Sequence, residues 1–367
     1  MPENTALITD RDGVIKDLIS LQDAGDDVMH LSGMLCPGFI NAHCHLELSH
    51  LQGAIPMQNG LTDFILHVVK HRGAAEDEMV DAMEKADREM MESGIVAVGD
   101  ICNTTDSLVV KKKSSLYYHN FIETMGLPEQ STSARFDAAV ELYQRFREFS
   151  PNISIVPHAP YSVSNLLFKK IFAFSENQIL SLHSQESEEE NEFIKNKKGP
   201  LLELYNNLSI DISFFQPTGK RSINYFLPHL PTDKQLILVH NVITNQSDID
   251  AMNQHYGDQA DSVFYCLCPN ANNYISALLP NVELLAANGL NMVLGTDSLA
   301  SNHQLNIFSE IQFLQKNFPN IALTEMLRWA TINGAKALKI DSSFGSFEIG
   351  KQPGVLAIEE NAVKVLV

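Results

Sequence analysis

Positive charge is scarce in this sequence of 367 residues: 26 Lys and Arg stand against 45 Asp and Glu, a formal net charge of −19. Such a surface repels phosphate backbones instead of releasing their counterions, so no nucleic-acid partner is expected. Long apolar runs are missing as well. None approaches the roughly 18 residues of a transmembrane helix, so no membrane span is expected. The start, Met1-Pro2-Glu3-Asn4, lacks the basic, apolar and small-residue segments of a signal peptide, and the chain reads as cytoplasmic. Cysteines are few and odd in number (Cys36, Cys44, Cys102, Cys266, Cys268). Each lies in an apolar run, the pattern of reduced, buried thiols. Internal repeats, low-complexity tracts and Pro/Ser-rich linkers are absent. With 44% hydrophobic and 19% charged residues, the composition is that of an ordinary globular protein, which excludes disorder and disulfide-stapled miniature folds. At about 100–200 residues per domain the length fits two or three domains, or one large α/β barrel with a small accessory.

What is present is an alternation: a short β-branched run, a polar loop, then a helical stretch. The runs are Leu35 to Asn41, Gly94 to Ile101, Leu116 to Glu123, Ile153 to Pro157, Gln178 to Leu182, Gln235 to Val239, Ser262 to Cys268 and Asn291 to Gly295. Amphipathic stretches such as Glu76 to Glu92, Phe136 to Phe149 and Val282 to Asn288 separate them. Eight βα units predict an α/β fold, a (β/α)8 TIM barrel over residues 36–344. Residues 1–35 and 345–367 break the rhythm and predict short antiparallel strands, a small β subdomain built from both termini. Of the two charged tracts, Lys111 to Lys113 reads as a solvated face.

Chemistry gathers at the strand ends. In Asn41-Ala42-His43-Cys44-His45 the two histidines are two apart, so on a strand both face one side. Pro157-His158, Leu182-His183, Val239-His240 and Gly295-Thr296-Asp297 repeat the theme on later runs. The C-terminal mouth of a barrel is where active sites form. Histidine and carboxylate ligands there suit Zn²⁺ first, with Fe²⁺ and Mn²⁺ as competitors. The fourth run, Ile153 to His158, has no lysine to bridge two metals, so one divalent ion is expected. Cys266-Leu267-Cys268 has CxC spacing and no His-x-Glu partner, so it is not a zinc pair.

These residues resemble a family. Pro37-Gly38-Phe39-Ile40-Asn41-Ala42-His43-Cys44-His45-Leu46, His183-Ser184-Gln185-Glu186, His240 and Gly295-Thr296-Asp297-Ser298-Leu299-Ala300-Ser301-Asn302 are similar to the amidohydrolase superfamily, in its mononuclear deaminase and chlorohydrolase branch. The resemblance implies a (β/α)8 barrel with a small β-sandwich from both termini, His43, His45, His183 and Asp297 as metal ligands, Glu186 as proton shuttle, and His240 holding the hydrolytic water. Within the branch, His43 to Ser49 and Pro157 to Ser162 resemble deaminases of adenosine-like compounds, including aminofutalosine. The shortened terminal segments, and Pro-Gly at 353–354 where the family has Ala-Asp, depart from the sandwich pattern. The expected activity is hydrolytic release of ammonia from an amino-substituted N-heterocycle. Triazine dechlorination or cyclic-amide hydrolysis is the alternative, and a non-catalytic barrel a more distant one. His158, Glu47, Glu123, Asn272 and, in the long fifth loop Ser187 to Pro231, Arg221 beside Lys220 are the expected contacts to a small-molecule substrate. Arg221 would meet a substrate carboxylate. A homodimer is left open.

Overall fold

The β-branched runs form parallel strands in the computed structural model, which describes residues 4–359 and 362–367. Met1 to Glu3, which bear on the signal-peptide expectation, and residues 360–361 of the C-terminal segment lie outside the described residues. The strands are β1 (Thr5–Thr9), β2 (Ile15–Ser20), β3 (Met34–Pro37), β4 (Phe39–Cys44), β5 (Ile95–Cys102), β6 (Tyr117–Thr124), β7 (Ile153–Pro157), β8 (Ile179–Ser184), β9 (Gln235–His240), β10 (Val263–Leu267), β11 (Asn291–Leu294), β12 (Val355–Glu359) and β13 (Ala362–Val365). Strands β4 to β7 pair in order as one parallel sheet, and β8 to β11 as another. Backbone hydrogen bonds close the two seams between them. At one, the His183 N–H donates to the His158 carbonyl at 2.9 Å; at the other, the N–H groups of Thr296 and Asp297 donate to the His43 carbonyl at 3.0 and 3.1 Å. The eight strands make the expected barrel, and its two seams meet at the candidate ligands.

Alternation along the strands sorts side chains into two cores. Ile40, Ala42, Ala97, Phe121, Ile179, Ile237, Val239, Phe264, Cys266 and Val293 fill the barrel interior. Phe39, Val98, Leu180, Leu182, Leu236 and Leu238 face outward into a second cluster with the surrounding helices. In the helix Glu76–Glu92, Met83, Ala86 and Met90 are buried at three- and four-residue spacing while three acidic residues occupy its first turn, where the helix dipole favours them.

The terminal segments differ from expectation in detail. The run Leu35 to Asn41 divides at Gly38, and β3 leaves the barrel to pair antiparallel with β12. Cys36 and Pro37 therefore belong to the small sheet β13-β12-β3. The β1–β2 hairpin is a separate sheet, joined to the C-terminal segment by bonds from Ile15 N–H to the Lys351 carbonyl and from Gly350 N–H to the Ile15 carbonyl. All five cysteines are buried and free. No helix among the described residues is long and apolar enough to cross a membrane.

One expectation is corrected here. Lys111 is not part of a solvated face: its ammonium is fully buried, 2.6 Å from Asp100 Oδ2 and 2.9 Å from Asn120 Oδ1. Burial works against its charge, but Asp100 and Cys102 outweigh that and hold its pKa above the usual lysine value. The other Asp100 oxygen accepts the Leu46 N–H at 2.8 Å, so this ion pair sits under the chain just past His45. Removing one partner of a buried pair strands the other charge, at a cost of about 3–5 kcal/mol. Lys111→Met is accordingly expected to lower the unfolding free energy by an amount of that order in chemical denaturation. A change no larger than that of an exposed lysine such as Lys112 would show that the pair is not holding the strand ends.

Candidate active site

Each candidate ligand reaches the barrel mouth by a specific backbone device. On β8 simple alternation suffices: Leu180 and Leu182 face outward, and His183 falls on the interior side with Ile179. On β4 it does not, because Ile40 and Ala42 already point inward. A register irregularity between Asn41 and Cys44 shifts the phase so that His43 and then His45 turn inward, as a bulge does. On β9, Leu236 and Leu238 face outward, and His240 follows with φ +77, ahead of Asn241 at +56. Asp297 adopts φ +56. Such left-handed conformations of residues other than glycine are strained and concentrate at functional sites.

The rings converge. His43 and His45 Nε2 lie 3.1 Å apart, and Asp297 Oδ1 is 3.6 and 3.4 Å from them. The His183 ring centroid is 4.9 Å from that of His43 and 5.3 Å from that of His240. Burial drives the pKa of His183 well below the usual histidine value, with the surrounding imidazoles adding to it. Burial likewise lowers His45, and it lowers His240 to about 3 against the opposing pull of Asp297. Burial alone would raise Asp297, but its bond with His43 and the charges of His45 and His240 hold it well below the usual carboxylate range.

Neutral imidazoles and an ionised aspartate form a ligand set that zinc, and then iron or manganese, accepts. Two imidazole nitrogens 3.1 Å apart either share a proton or flank an electrophile. Two nitrogens each bound tetrahedrally about 2.0–2.1 Å from zinc would stand about 3.3 Å apart. The supporting bonds also fit. Ser301 Oγ donates to Asp297 Oδ2 at 2.6 Å, leaving Oδ1 toward the histidines, and His183 Nδ1 lies 3.0 Å from the His158 carbonyl. A divalent cation therefore matches the residues present.

Glu186 lies inside this cluster. Although it opens an acidic stretch, it is buried, with Oε1 3.5 Å from His240 Nε2. Burial, then Asp297, Glu190 and Glu189, raises its pKa well above the usual carboxylate value. Its loop is clamped through Gln185. The Gln185 N–H donates to Glu190, its carbonyl accepts from Ile243 N–H, and its side chain bonds Asp248 and Thr244.

The expected substrate contacts divide. The His158 ring lies tilted against that of His183, centroids 4.9 Å apart, with its Nδ1 2.7 Å from Ser162 Oγ. Asn272 Nδ2 is 3.0 Å from His240 Nδ1, so this side chain positions a site histidine. Glu47 accepts the backbone N–H groups of Asn103 and Thr104, and Glu123 Oε2 accepts from Asn103 Nδ2. Arg221 is engaged within the chain: its Nε faces both oxygens of Asp248 at 2.8 and 3.0 Å, and a further nitrogen donates to the Ile243 carbonyl at 2.6 Å. Sequence reading missed Asn103, Asp248 and Gln185. Gln185 and Ser301 stood within the recognised motifs; Asn103 and Asp248 carried no spacing signal.

Comparison with known proteins agrees with this arrangement. Residues 34–364 match the Amidohydrolase family. An adenosine deaminase of Helicobacter pylori is 27% identical over 327 residues, covering 88% of this chain and 78% of its own. The structure of Helicobacter pylori aminofutalosine deaminase with methylthio-coformycin superposes with a TM-score of 0.82 at 23% identity, over 98% of this chain and 88% of that one. An adenosine deaminase structure from Xanthomonas campestris with bound zinc gives 0.72 at 24%, over 97% and 80%. With the family's barrel and its histidine and aspartate strand ends both in place, the chain belongs to the amidohydrolase family.

Proposed function

We propose that this chain is a metal-dependent hydrolytic deaminase that releases ammonia from an amino-substituted N-heterocycle, an adenosine-type purine such as aminofutalosine. The observation that carries the reading is the opposite displacement of the two site carboxyls. Burial, then the charges of Asp297, Glu190 and Glu189, raises the pKa of Glu186, whereas the bond with His43 and the charges of His45 and His240 hold that of Asp297 down against burial. Paired groups with environments that separate their pKa values make an acid and a proton acceptor. A purine substrate is supported by the relatives that act on adenosine and aminofutalosine.

His43, His45, His183 and Asp297 would hold one divalent ion, zinc first, with iron or manganese as competitors. Such an ion supplies Lewis acidity and lowers the pKa of water toward about 7. Asp297 accepts a proton from the attacking water, and His240, fixed by Asn272, orients it. Glu186 gives its proton to the ring nitrogen beside the attacked carbon, so negative charge does not build up on the ring before ammonia leaves.

Ammonia release across aminopurine nucleosides and free bases, set against chloride release from triazines and opening of cyclic amides, tests the reaction class. Turnover confined to the last two groups would replace the deaminase reading. Glu186→Gln keeps size and hydrogen bonding but transfers no proton. Its kcat is expected to fall by about 10²–10⁴-fold with metal content unchanged; near-normal turnover would remove the shuttle role. Elemental analysis of protein purified without chelator is expected to give one equivalent of metal per chain, and two tightly held equivalents would overturn the mononuclear site. Because Asp248 occupies Arg221, Arg221→Ala should lower kcat/KM for carboxylated and uncharged purine nucleosides by the same factor. A loss confined to the carboxylated substrate would return Arg221 to the binding site.

A further inference from the structure

We propose that Glu123 is a positioning residue for His183, holding that imidazole in the tautomer whose Nε2 lone pair faces the metal. The inference rests on the reading of His43, His45, His183 and Asp297 as a metal centre. His183 Nδ1 lies 3.0 Å from the His158 carbonyl oxygen and 3.5 Å from Glu123 Oε1. A carbonyl oxygen is an acceptor only, and Glu123 Oε1 beside it has no other donor, so the proton belongs on Nδ1 and the lone pair on Nε2.

Glu123 Oε1 is buried and makes no hydrogen bond of its own. An unsatisfied buried carboxylate oxygen is costly, and the His183 Nδ1 proton is the donor that faces it. The other oxygen is fixed: Asn103 Nδ2 donates to Oε2 at 3.0 Å. Asn103 is itself held, its N–H donating to Glu47 Oε2 at 3.1 Å and its Oδ1 accepting from Arg72 at 2.9 Å. The carboxylate is anchored on one side and presented to the imidazole on the other.

The same atoms offer a competing role. Glu123, His158 and His183 each place one ligand atom within 4.8 Å of the others, close enough for a second cation. His183 Nδ1 is already directed at a carbonyl, and His158 Nδ1 is 2.7 Å from Ser162 Oγ, which favours the positioning role.

Glu123→Gln separates these. One amide cannot accept from both Asn103 and His183: either its NH₂ confronts the Nδ1 proton or it turns away from Asn103. Zinc affinity is read by competition with a chromophoric chelator at fixed pH, and the melting temperature is read on the metal-free proteins. Wild type is expected to bind one equivalent and the variant to bind it roughly 10–100-fold more weakly, with metal-free melting close to wild type. Equal zinc affinity overturns the proposal. So does a wild type that binds two equivalents of which the variant keeps one, because Glu123 is then a ligand. A wild type that binds no zinc removes the metal-centre reading instead, a separate result. A second measurement needs no folded Glu123 variant: long-range ¹H–¹⁵N spectra of metal-free wild type labelled at histidine, with His183 identified by its loss in His183→Asn. The Nδ1–H form is expected, and an Nε2–H form overturns the proposal.

Discussion

The barrel closes on itself through the residues of its candidate site. The two parallel four-stranded sheets are joined by backbone bonds from His183 to His158 on one side and from Thr296 and Asp297 to His43 on the other. A ligand on a free strand end could drift relative to its partners. Here the backbones of His43 and Asp297 are bonded to each other, so their separation is fixed by sheet geometry. Gly295 shows how tight the closure is: a Cβ there would come within 2.8 Å of both Cys266 Sγ and His43 Cβ. No side chain fits at that position without prying the seam open.

Closure of this kind also explains how the site sustains backbone strain. Gln185, His240, Asn241 and Asp297 all have positive φ, conformations that cost on the order of 1–3 kcal/mol each. Each is held by specific bonds. Gln185 uses its backbone N–H, its carbonyl and both side-chain groups; Asp297 is held by Ser301 and His240 by Asn272. Arg221 belongs to this support, because Asp248, which it neutralises, accepts from Gln185 between His183 and Glu186.

How much of this could be read from sequence follows from the range of the interactions. The eight strands were legible because apolar alternation and strand length are local, and the meeting of His43, His45, His183 and Asp297 at one point because all four sit at the ends of those strands. Where partners are remote in sequence, reading failed. Lys111 lies in a run of three lysines, and its burial depends on Asp100 from β5 and Asn120 from β6. Arg221 looked like a lone cation in an acidic chain because Asp248 lies 27 residues away. The bulge that turns His43 inward is a mismatch in pairing with β5, which no spacing within β4 records. The terminal strands were expected, but the assignment of Leu35 to Pro37 to the first barrel run failed for a related reason, since β3 pairs with β12 more than 300 residues later.

The loops above the mouth complete the electrostatic argument. Leu61, Tyr161, Phe193, Leu204, Tyr205, Phe215 and Ile275, drawn from loops that follow four different strands, pack as one apolar cluster. Glu189 ties two of these loops together: its carboxylate accepts the Thr62 N–H at 3.1 Å at the N-terminus of the helix Leu61–His71, where the helix dipole favours a negative group. The site carboxyls and most of the site histidines are buried, and low dielectric strengthens every charge interaction among them. That same burial separates the two carboxyls. The imidazoles around Asp297 hold its pKa down against burial, whereas burial and the charges of Asp297, Glu190 and Glu189 raise that of Glu186. The opposite displacement of the two carboxyls is therefore not intrinsic to the side chains; it follows from which neighbours the closed barrel places beside each one.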